Sequence, residues 1–221
     1  MNLEPVNRRV FLYFIVMELF IIRHGETDLN RQGIVQGRGV NPGLNELGKK
    51  QAQLFFDHFK NENFQKIYTS TLLRSIETVV PFKVLNIPTE QREELDEISW
   101  GIHEGTKSKP FKIEYNNLLK RWNEGELNAR VEGGESPLEV QARQNNFLAY
   151  LQKQKEEKVL ICMHGRAMRI FICTLLNQNL IHMDDYPHNN LTLYKLNFTD
   201  GKYNMVLHSF MEHLKSLHSN G

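Results

Sequence analysis

The stretch Glu-Leu-Phe-Ile-Ile-Arg-His-Gly-Glu-Thr, residues 18–27, is an apolar run that changes abruptly into a polar segment with a glycine. A short run of aliphatic and aromatic residues that ends near a glycine predicts a buried strand followed by a loop. The run at residues 158–163 has the same character, and His-Gly follows it at residues 164–165. The sequence therefore predicts two strands, each of which delivers a histidine to the loop that follows it.

Helical patterns lie between the predicted strands. Residues 45–59 and 136 to about 153 begin at potential cap residues, Asn45 and Ser136, and continue with apolar residues at helical spacing. Residues 66–69 predict a further strand, Ser70 predicts the cap of the next helix, and residues 87–98 are interpreted as extended. Alternating runs on either side of Asp200-Gly201 predict a terminal hairpin. Strands that alternate with helices predict an α/β fold, namely a three-layer α/β/α sandwich around a mostly parallel central sheet.

Two segments differ from this pattern. Residues 1–16 contain a short apolar run, which lacks both a motif and the roughly 20 apolar residues of a membrane span. We interpret them as a dispensable N-terminal extension, and residues 17–221 as a single domain. Residues 106–135 are polar and carry only a weak helical pattern, so we interpret them as a short lid insertion rather than core. Most of the basic residues in the lid are expected to be solvated, with one or two in reach of a substrate.

Composition excludes several classes of function. The chain has 221 residues, of which 40% are hydrophobic and 24% charged, and its formal net charge is +1. Without a basic surplus, neither nucleic acid nor an anionic membrane is an expected partner, and a cytoplasmic location is the default. Cys162 and Cys173 lie in apolar runs and are expected to be buried thiols. No Cys/His spacing typical of a zinc site occurs, so we expect no metal ligands.

The two His-Gly ends are the strongest functional signal from the residues themselves. Ligand sites of open α/β sheets lie at the carboxyl ends of strands, so His24 and His164 are expected to meet in one pocket. Gly25 and Gly165 would let the backbone approach a ligand closely. Taken singly, a histidine at a strand end is more often structural, and an arginine on a helix is usually solvated. The combination favours an anion site, because Arg23 adjoins one histidine and Arg74 begins a helix after a strand.

Four motifs in this order resemble the histidine phosphatase superfamily, the phosphoglycerate mutase-like group, over residues 17 to about 198. They are Arg-His-Gly-Glu-Thr at 23–27, Thr-Ser-x-x-x-Arg-Ser-x-x-Thr at 69–78, Leu-x-Glu-x-x-x-Gly-x-x-Glu-Gly at 95–105 and His-Gly at 164–165. The resemblance implies that His24 is a nucleophile that becomes phosphohistidine, and that Glu97 gives and takes the proton, with Asp96 as its rival. It implies phosphate contacts from four further side chains: Arg23, Arg74, His164 and Asn30.

The chemistry of phosphoryl transfer agrees with these implied roles. Charge spreads over three equatorial oxygens, and arginine binds two oxygens at once, so two arginines can replace a metal ion. We therefore expect no metal and no cofactor. The lid segment at residues 120–126 has one arginine, no proline and two acids, which resembles the phosphatase branch. The prediction is a phosphomonoester hydrolase for a small phosphorylated metabolite.

Three alternatives stay open at this point. The first is a cofactor-dependent phosphoglycerate mutase, which shares the phosphohistidine chemistry. A more remote one is a non-catalytic domain that binds a phosphorylated ligand, although such a domain would be expected to lose His24, Arg74 or Glu97. The last is a metalloenzyme built on the two histidines, which the neighbouring arginine disfavours by repelling a cation. The sequence fixes neither the physiological substrate nor the oligomeric state.

Overall fold

The computed structural model describes residues 17–218, and the predicted extension at residues 1–16 lies outside the described part. Six strands form one sheet in the order β3-β2-β4-β1-β5-β6. β1 to β4 run parallel, whereas β5 is antiparallel to both β1 and β6, so the prediction of a mostly parallel sheet is confirmed. The strands are β1 Met17–Arg23, β2 Lys66–Thr69, β3 Thr89–Gln91, β4 Lys158–Met163, β5 Leu193–Thr199 and β6 Lys202–Phe210.

Helices cover both faces of the sheet, which confirms the three layers. The helices are α1 Asp28–Gln32, α2 Glu46–Phe59, α3 Leu73–Thr78, α4 Ser108–Asn123, α5 Pro137–Leu151, α6 Gly165–Leu175 and α7 Lys215–His218. Successive residues of a strand point to opposite faces, and here both sets are apolar. Phe20 and Ile22 of β1 join a core with α2, whereas Leu19 and Ile21 join a second core with α4, α5 and α6.

Side-chain caps explain the starts of α1, α2 and α5, whereas α3, α4 and α6 begin without one. Asn45 caps α2 and Ser136 caps α5 in a capping box, as predicted. The prediction that Ser70 caps the next helix is wrong, because α3 starts after Leu72 without a side-chain cap. The Ser70 hydroxyl is instead engaged with His164 across the sheet edge. The hydroxyl also accepts from the Leu72 amide at 3.1 Å, so it has a local and a long-range partner at once.

Two further segments differ from expectation. Residues 87–98 are extended only at β3, and a 3-10 helix at Glu93–Leu95 follows. The lid contains a helix of 16 residues, α4, whose Trp122 is completely buried and donates its indole N–H to the Ala129 carbonyl at 2.8 Å. Phe111 and Leu118 share a core cluster with β1 and β4, so this segment is part of the core and not only a flap. The weak helical pattern of this polar segment corresponds to a narrow apolar stripe on α4 that packs into the core.

The sheet topology brings both histidines to one edge. β1 and β4 are parallel neighbours with Arg23 opposite Met163, so the next residue of each strand is a histidine at the same level. The predicted hairpin is present, and Asp200 and Gly201 both adopt positive φ, as a two-residue turn of this kind requires. Within residues 17–218, no helix is long and apolar enough to cross a bilayer.

Candidate active site

His24 and His164 lie side by side beyond the ends of β1 and β4. Their ring centroids are 5.1 Å apart, and both residues are buried. The structure thus brings together the two histidines that the sequence pattern placed at one edge. The space in front of His24 opens into a cavity of about 460 Å³, which Arg23, Arg74, Glu97 and Asn30 also line.

Hydrogen bonding fixes which nitrogen of His24 is free. Its Nδ1 lies 2.7 Å from the carbonyl oxygen of Gly25, and because a carbonyl only accepts, Nδ1 carries the proton. Burial first, and then the charges of Arg23 and Arg74, hold the pKa of His24 well below its usual value of 6.5. The ring is therefore neutral at physiological pH, and Nε2 keeps a lone pair. This is the state that a nitrogen nucleophile needs.

Two guanidinium groups flank this nucleophile, of which Arg74 is buried and Arg23 is half-buried. Arg74 donates from Nη1 to the Val40 carbonyl at 2.9 Å and from Nη2 to the Gly37 carbonyl at 3.1 Å. A third bond runs from its Nε to Nδ1 of His164 at 3.2 Å, so three of the five guanidinium N–H groups are engaged and two remain. Burial lowers the pKa of Arg74 to about 10, which leaves it charged at neutral pH.

Arg23 is oriented in a similar way. Its Nη1 donates to the His188 carbonyl at 2.6 Å, and burial lowers its pKa to about 10. Its buried Nε has no hydrogen-bond partner among the described residues. Buried donors of this kind are rare in proteins, and in a cavity they indicate a site for an acceptor such as a phosphoryl oxygen.

Both ring nitrogens of His164 are occupied by protein groups. Because Arg74 donates to Nδ1, the proton of the neutral ring sits on Nε2 and is donated to the Ser70 hydroxyl at 2.6 Å. Ser70 in turn lies 2.7 Å from the Ser75 hydroxyl. In this arrangement His164 orients Arg74, and the direct phosphate contact that the resemblance implies would require its hydrogen bonds to rearrange.

Glu97 lines the cavity at the start of α6. Its Oε1 accepts from the amides of Ile98 at 2.9 Å and Ala167 at 2.8 Å, and its Oε2 accepts from the amide of Arg166 at 3.1 Å. The N-terminus of a helix favours a carboxylate at this position. The rival Asp96 is used elsewhere, since its Oδ1 accepts from both the amide and the hydroxyl of Thr71 at 2.9 Å. Of the two acids, only Glu97 faces the cavity.

Asn30 and Gln36 complete the polar lining near His24. The Asn30 Oδ1 accepts from the Thr27 amide at 3.2 Å within a capping box, so its Nδ2 is the group left for a ligand. Gln36 accepts from the Thr27 hydroxyl at 3.0 Å, and its buried Nε2 has no partner within residues 17–218. Gln36 was missed by the sequence reasoning, although its position beside Gly37 in the loop after α1 could have drawn attention to it.

Comparisons with known proteins fit this geometry. A model of the histidine phosphatase superfamily (branch 1) matches residues 19–210, which is most of the chain. The chain belongs to the histidine phosphatase superfamily. It is therefore an enzyme of that superfamily, and the resemblance seen in the sequence motifs is confirmed.

Relatives of known structure or function share most of their length with this histidine phosphatase. Phosphoserine phosphatase 1 from Hydrogenobacter thermophilus is 28% identical over 194 residues, covering 87% of this chain and 91% of that protein. YhfR from Bacillus stearothermophilus superimposes with a TM-score of 0.79 at 25% identity, over 90% of this chain and 99% of its own. The alpha-ribazole phosphatase from Shigella flexneri has a TM-score of 0.78 at 22% identity, over 88% of this chain and 96% of its own, and this likeness concerns the fold alone.

The two glycines after the histidines lie close to other parts of the protein, where a side chain would not fit. A Cβ on Gly25 would lie 2.7 Å from the Gly48 carbonyl oxygen at the start of α2. A Cβ on Gly165 would lie 2.3 Å from the ring of His188. Neither Gly165 nor His164 is among the residues that line the cavity. Both glycines make room for protein neighbours of the site, and the expected backbone approach to a ligand remains a prediction.

His188 is a second residue that the sequence reasoning missed. It lines the cavity beside Arg23, and burial, followed by the charges of Arg23, Arg169 and Arg166, lowers its pKa to about 2. It is therefore a neutral imidazole next to a cluster of cations. No local pattern in residues 186–190 marks it, because its place depends on the loop that leads into β5.

Within the described residues, no group of three or more His, Cys, Asp or Glu side chains is arranged to hold a metal ion.

Proposed function

We propose that this histidine phosphatase is a phosphomonoester hydrolase that acts on a small phosphorylated metabolite through a phosphohistidine at His24. The observation that carries the proposal is the neutral His24 with a free Nε2 between two charged arginines. The name of one relative supports hydrolysis, since the aligned protein of Hydrogenobacter thermophilus is a phosphoserine phosphatase.

In the first step, the unpartnered donors of Arg23 and Gln36 and the two remaining N–H groups of Arg74 hold the phosphoryl oxygens. The Nε2 of His24 attacks phosphorus, and the bond from phosphorus to the ester oxygen breaks. Glu97, which takes up a proton when the anionic phosphate group binds beside it, gives that proton to the departing alkoxide. The arginines stabilise the charge of the transferring group, which is the main task of a phosphoryl-transfer enzyme.

The second step returns the enzyme to its starting state. The Glu97 carboxylate takes a proton from a water molecule, whose oxygen attacks phosphorus. The bond to His24 breaks, inorganic phosphate leaves, and Glu97 is again protonated. Asn30 donates to the phosphate through Nδ2, and His164 and Gly165 support the site, His164 by orienting Arg74. The two arginines supply the positive charge, so the proposal requires no metal ion.

A phosphoglycerate mutase is the main alternative, and the lid segment at residues 120–126 argues against it. A mutase must retain its intermediate and recognise a carboxylate with dedicated cations. Here the two basic residues of the lid at positions 120–121 pair with neighbouring acids: Lys120 lies 3.8 Å from Glu124, and Arg121 lies 2.7 Å from Glu126. These cations are on the exposed surface and do not line the cavity.

The proposal extends to the chain as a whole. It includes a single domain that starts at Met17. It also includes a cytoplasmic location and small phosphorylated metabolites as partners. Support for the location comes from Cys162 and Cys173, which are both buried free thiols. A variant that starts at Met17 should keep the phosphatase activity of the full chain.

The test compares hydrolysis with phosphoryl exchange. A panel of phosphomonoesters is assayed for release of inorganic phosphate, with and without EDTA, and 3-phosphoglycerate is assayed for conversion to 2-phosphoglycerate in the presence of the bisphosphate. We expect EDTA-resistant phosphate release from several esters. Mutase turnover far above every rate of hydrolysis would overturn the proposal.

A further inference from the structure

We propose that the lid half of the cavity is a subsite for the leaving group, and that it selects phosphomonoesters whose leaving group has a flat apolar face and a carboxylate. This inference rests on the proposed function for its phosphate end. It concerns a different part of the cavity, whose lining residues come mainly from α4, with further residues from the loop after α1 and from the segment after β3.

An aromatic wall forms one side of this subsite. Trp100, Phe111 and Tyr115 all line the cavity, and their ring centroids are 5.4 to 5.5 Å apart in each pair. Ile34 and Val35 add aliphatic surface. Aromatic walls bind flat apolar groups through area and through edge or offset contacts.

The wall is already formed in the structure. Trp100 and Phe111 are both buried, and Trp100 packs on the buried Trp122 at 6.2 Å between ring centroids. Tyr115 accepts a hydrogen bond from Nη2 of Arg166 at 2.6 Å, and Arg166 is itself held by Asp184 at 2.6 Å. A preformed wall loses little conformational entropy when it binds a ligand, so it can discriminate between leaving groups.

Lys112 provides a cation beside the wall. It lies on α4 with Tyr115 and Asn116, three and four residues on, which share one face of the helix, and all three line the cavity. Lys112 is exposed and forms no salt bridge within the described part of the chain. Lys120 and Arg121 on the same helix are paired with acids, so Lys112 is the lid cation that remains available at the cavity.

The distribution of charge then defines the ligand. Arg23, Arg74 and Gln36 line the cavity at the proposed phosphate end, and Lys112 lines it on α4 together with Phe111 and Tyr115 of the wall. The cavity of about 460 Å³ is of the size that small organic ligands occupy, and it exceeds what a phosphate group alone requires. An anionic substituent on the leaving group would reach Lys112, while the ring between the two charges lies against the wall.

The test measures binding rather than turnover. Dissociation constants for methylphosphonate, phenylphosphonate and 4-carboxyphenylphosphonate are determined by calorimetry on the full chain and on Lys112→Ala, Lys112→Glu and Lys109→Ala. Lys109 is an exposed lysine of the same helix that does not line the cavity, so it is the matched control.

We expect phenylphosphonate to bind at least about tenfold more tightly than methylphosphonate, because of the apolar area that it buries. The carboxylate should improve binding over phenylphosphonate by about three- to fivefold, as for an exposed ion pair. Lys112→Ala should abolish this preference and Lys112→Glu should reverse it, while Lys109→Ala keeps it.

Equal affinity for methyl- and phenylphosphonate, a carboxylate preference that survives in Lys112→Ala, or no binding of any of the three phosphonates would overturn the subsite. The proposed function has a separate failure. If the phosphonates bind as expected but the protein hydrolyses no phosphomonoester, the subsite stands and the hydrolase does not.

Discussion

The sheet edge and the lid helix line the same cavity, but their side chains are held in different ways. At the sheet edge, backbone groups fix the reactive side chains: Gly25 holds His24, two loop carbonyls hold Arg74, and three amides hold Glu97. On α4, side chains hold one another, and Lys112 is exposed. The side chains proposed for catalysis are therefore positioned by backbone groups. Those proposed to select the leaving group are positioned by other side chains, which can change without moving the catalytic groups.

The largest effect among the variants should come from Glu97→Gln, which removes the proposed proton donor while keeping the shape of the side chain. We expect kcat to fall by about 10²- to 10⁴-fold on alkyl phosphates. Asp96→Asn is the matched comparison, because Asp96 is buried but bonded to Thr71. Asp96→Asn should chiefly lower the melting temperature. If it instead abolished turnover while Glu97→Gln remained active, the assignment of the acid would have to be exchanged.

Arg74→Lys should have the next largest effect. Lysine keeps the charge but cannot span the carbonyls of Gly37 and Val40 and the ring of His164 at once. We expect kcat/KM to fall by about 10²- to 10³-fold, comparable to the loss of a transition-state donor. Arg31→Lys, at an exposed pair with Asp28, is the control and should match the wild type. A fully active Arg74→Lys enzyme would contradict a backbone-fixed phosphate site.

Acid should lower the free energy of unfolding, because four histidines have lowered pKa values in the folded protein. Burial lowers the pKa of His24 and His164 far below 6.5, that of His188 to about 2 and that of His213 to about 4. Below pH 6.5 these histidines bind protons in the unfolded chain but stay neutral in the folded protein. The free energy of unfolding is therefore greatest above pH 6.5 and falls as the pH drops. Each histidine contributes up to about 1.4 kcal/mol per pH unit below 6.5.

Urea unfolding at pH 7.5, 6.5 and 5.5 measures this dependence. A free energy of unfolding that stays constant over this range would mean that the pKa values of these histidines are not lowered in the folded protein. In that case the neutral His24 on which the proposed nucleophile depends would be wrong as well.

The smallest effect is expected for Tyr115→Phe, which keeps the ring of the aromatic wall and removes its hydrogen bond with Arg166. The free energy of unfolding should fall by about 1 kcal/mol, the net value of one hydrogen bond. The value of kcat/KM should change by less than about threefold. Tyr150→Phe, whose hydroxyl donates to Glu90 at 3.1 Å away from the cavity, is the control. A roughly 10²-fold loss of kcat/KM in Tyr115→Phe but not in Tyr150→Phe would show that the lid and the sheet edge do not act separately.

The sequence allowed the sheet edge to be predicted much further than the lid. His24 and His164 follow apolar strands, so local periodicity and the rule for ligand sites in α/β sheets place them together. Ser70 was assigned to a helix cap because local rules ignore a partner 94 residues away. The lid was interpreted as an insertion rather than core because it is polar and its helical pattern is weak, although Phe111, Leu118 and Trp122 of that pattern form a buried stripe. Gln36 and His188 could not be found locally, since each depends on loops that meet only in the folded chain.

The central claim is that His24 carries the phosphoryl group, and trapping the intermediate tests it most directly. The enzyme is mixed with a ³²P-labelled phosphomonoester and quenched within milliseconds in acid or in alkali, and the labelled peptide is identified by mass spectrometry. The account predicts label on His24 that is stable in alkali and lost in acid, and no label in His24→Ala. Full retention of label in His24→Ala, or an acid-stable adduct on another residue, would contradict it.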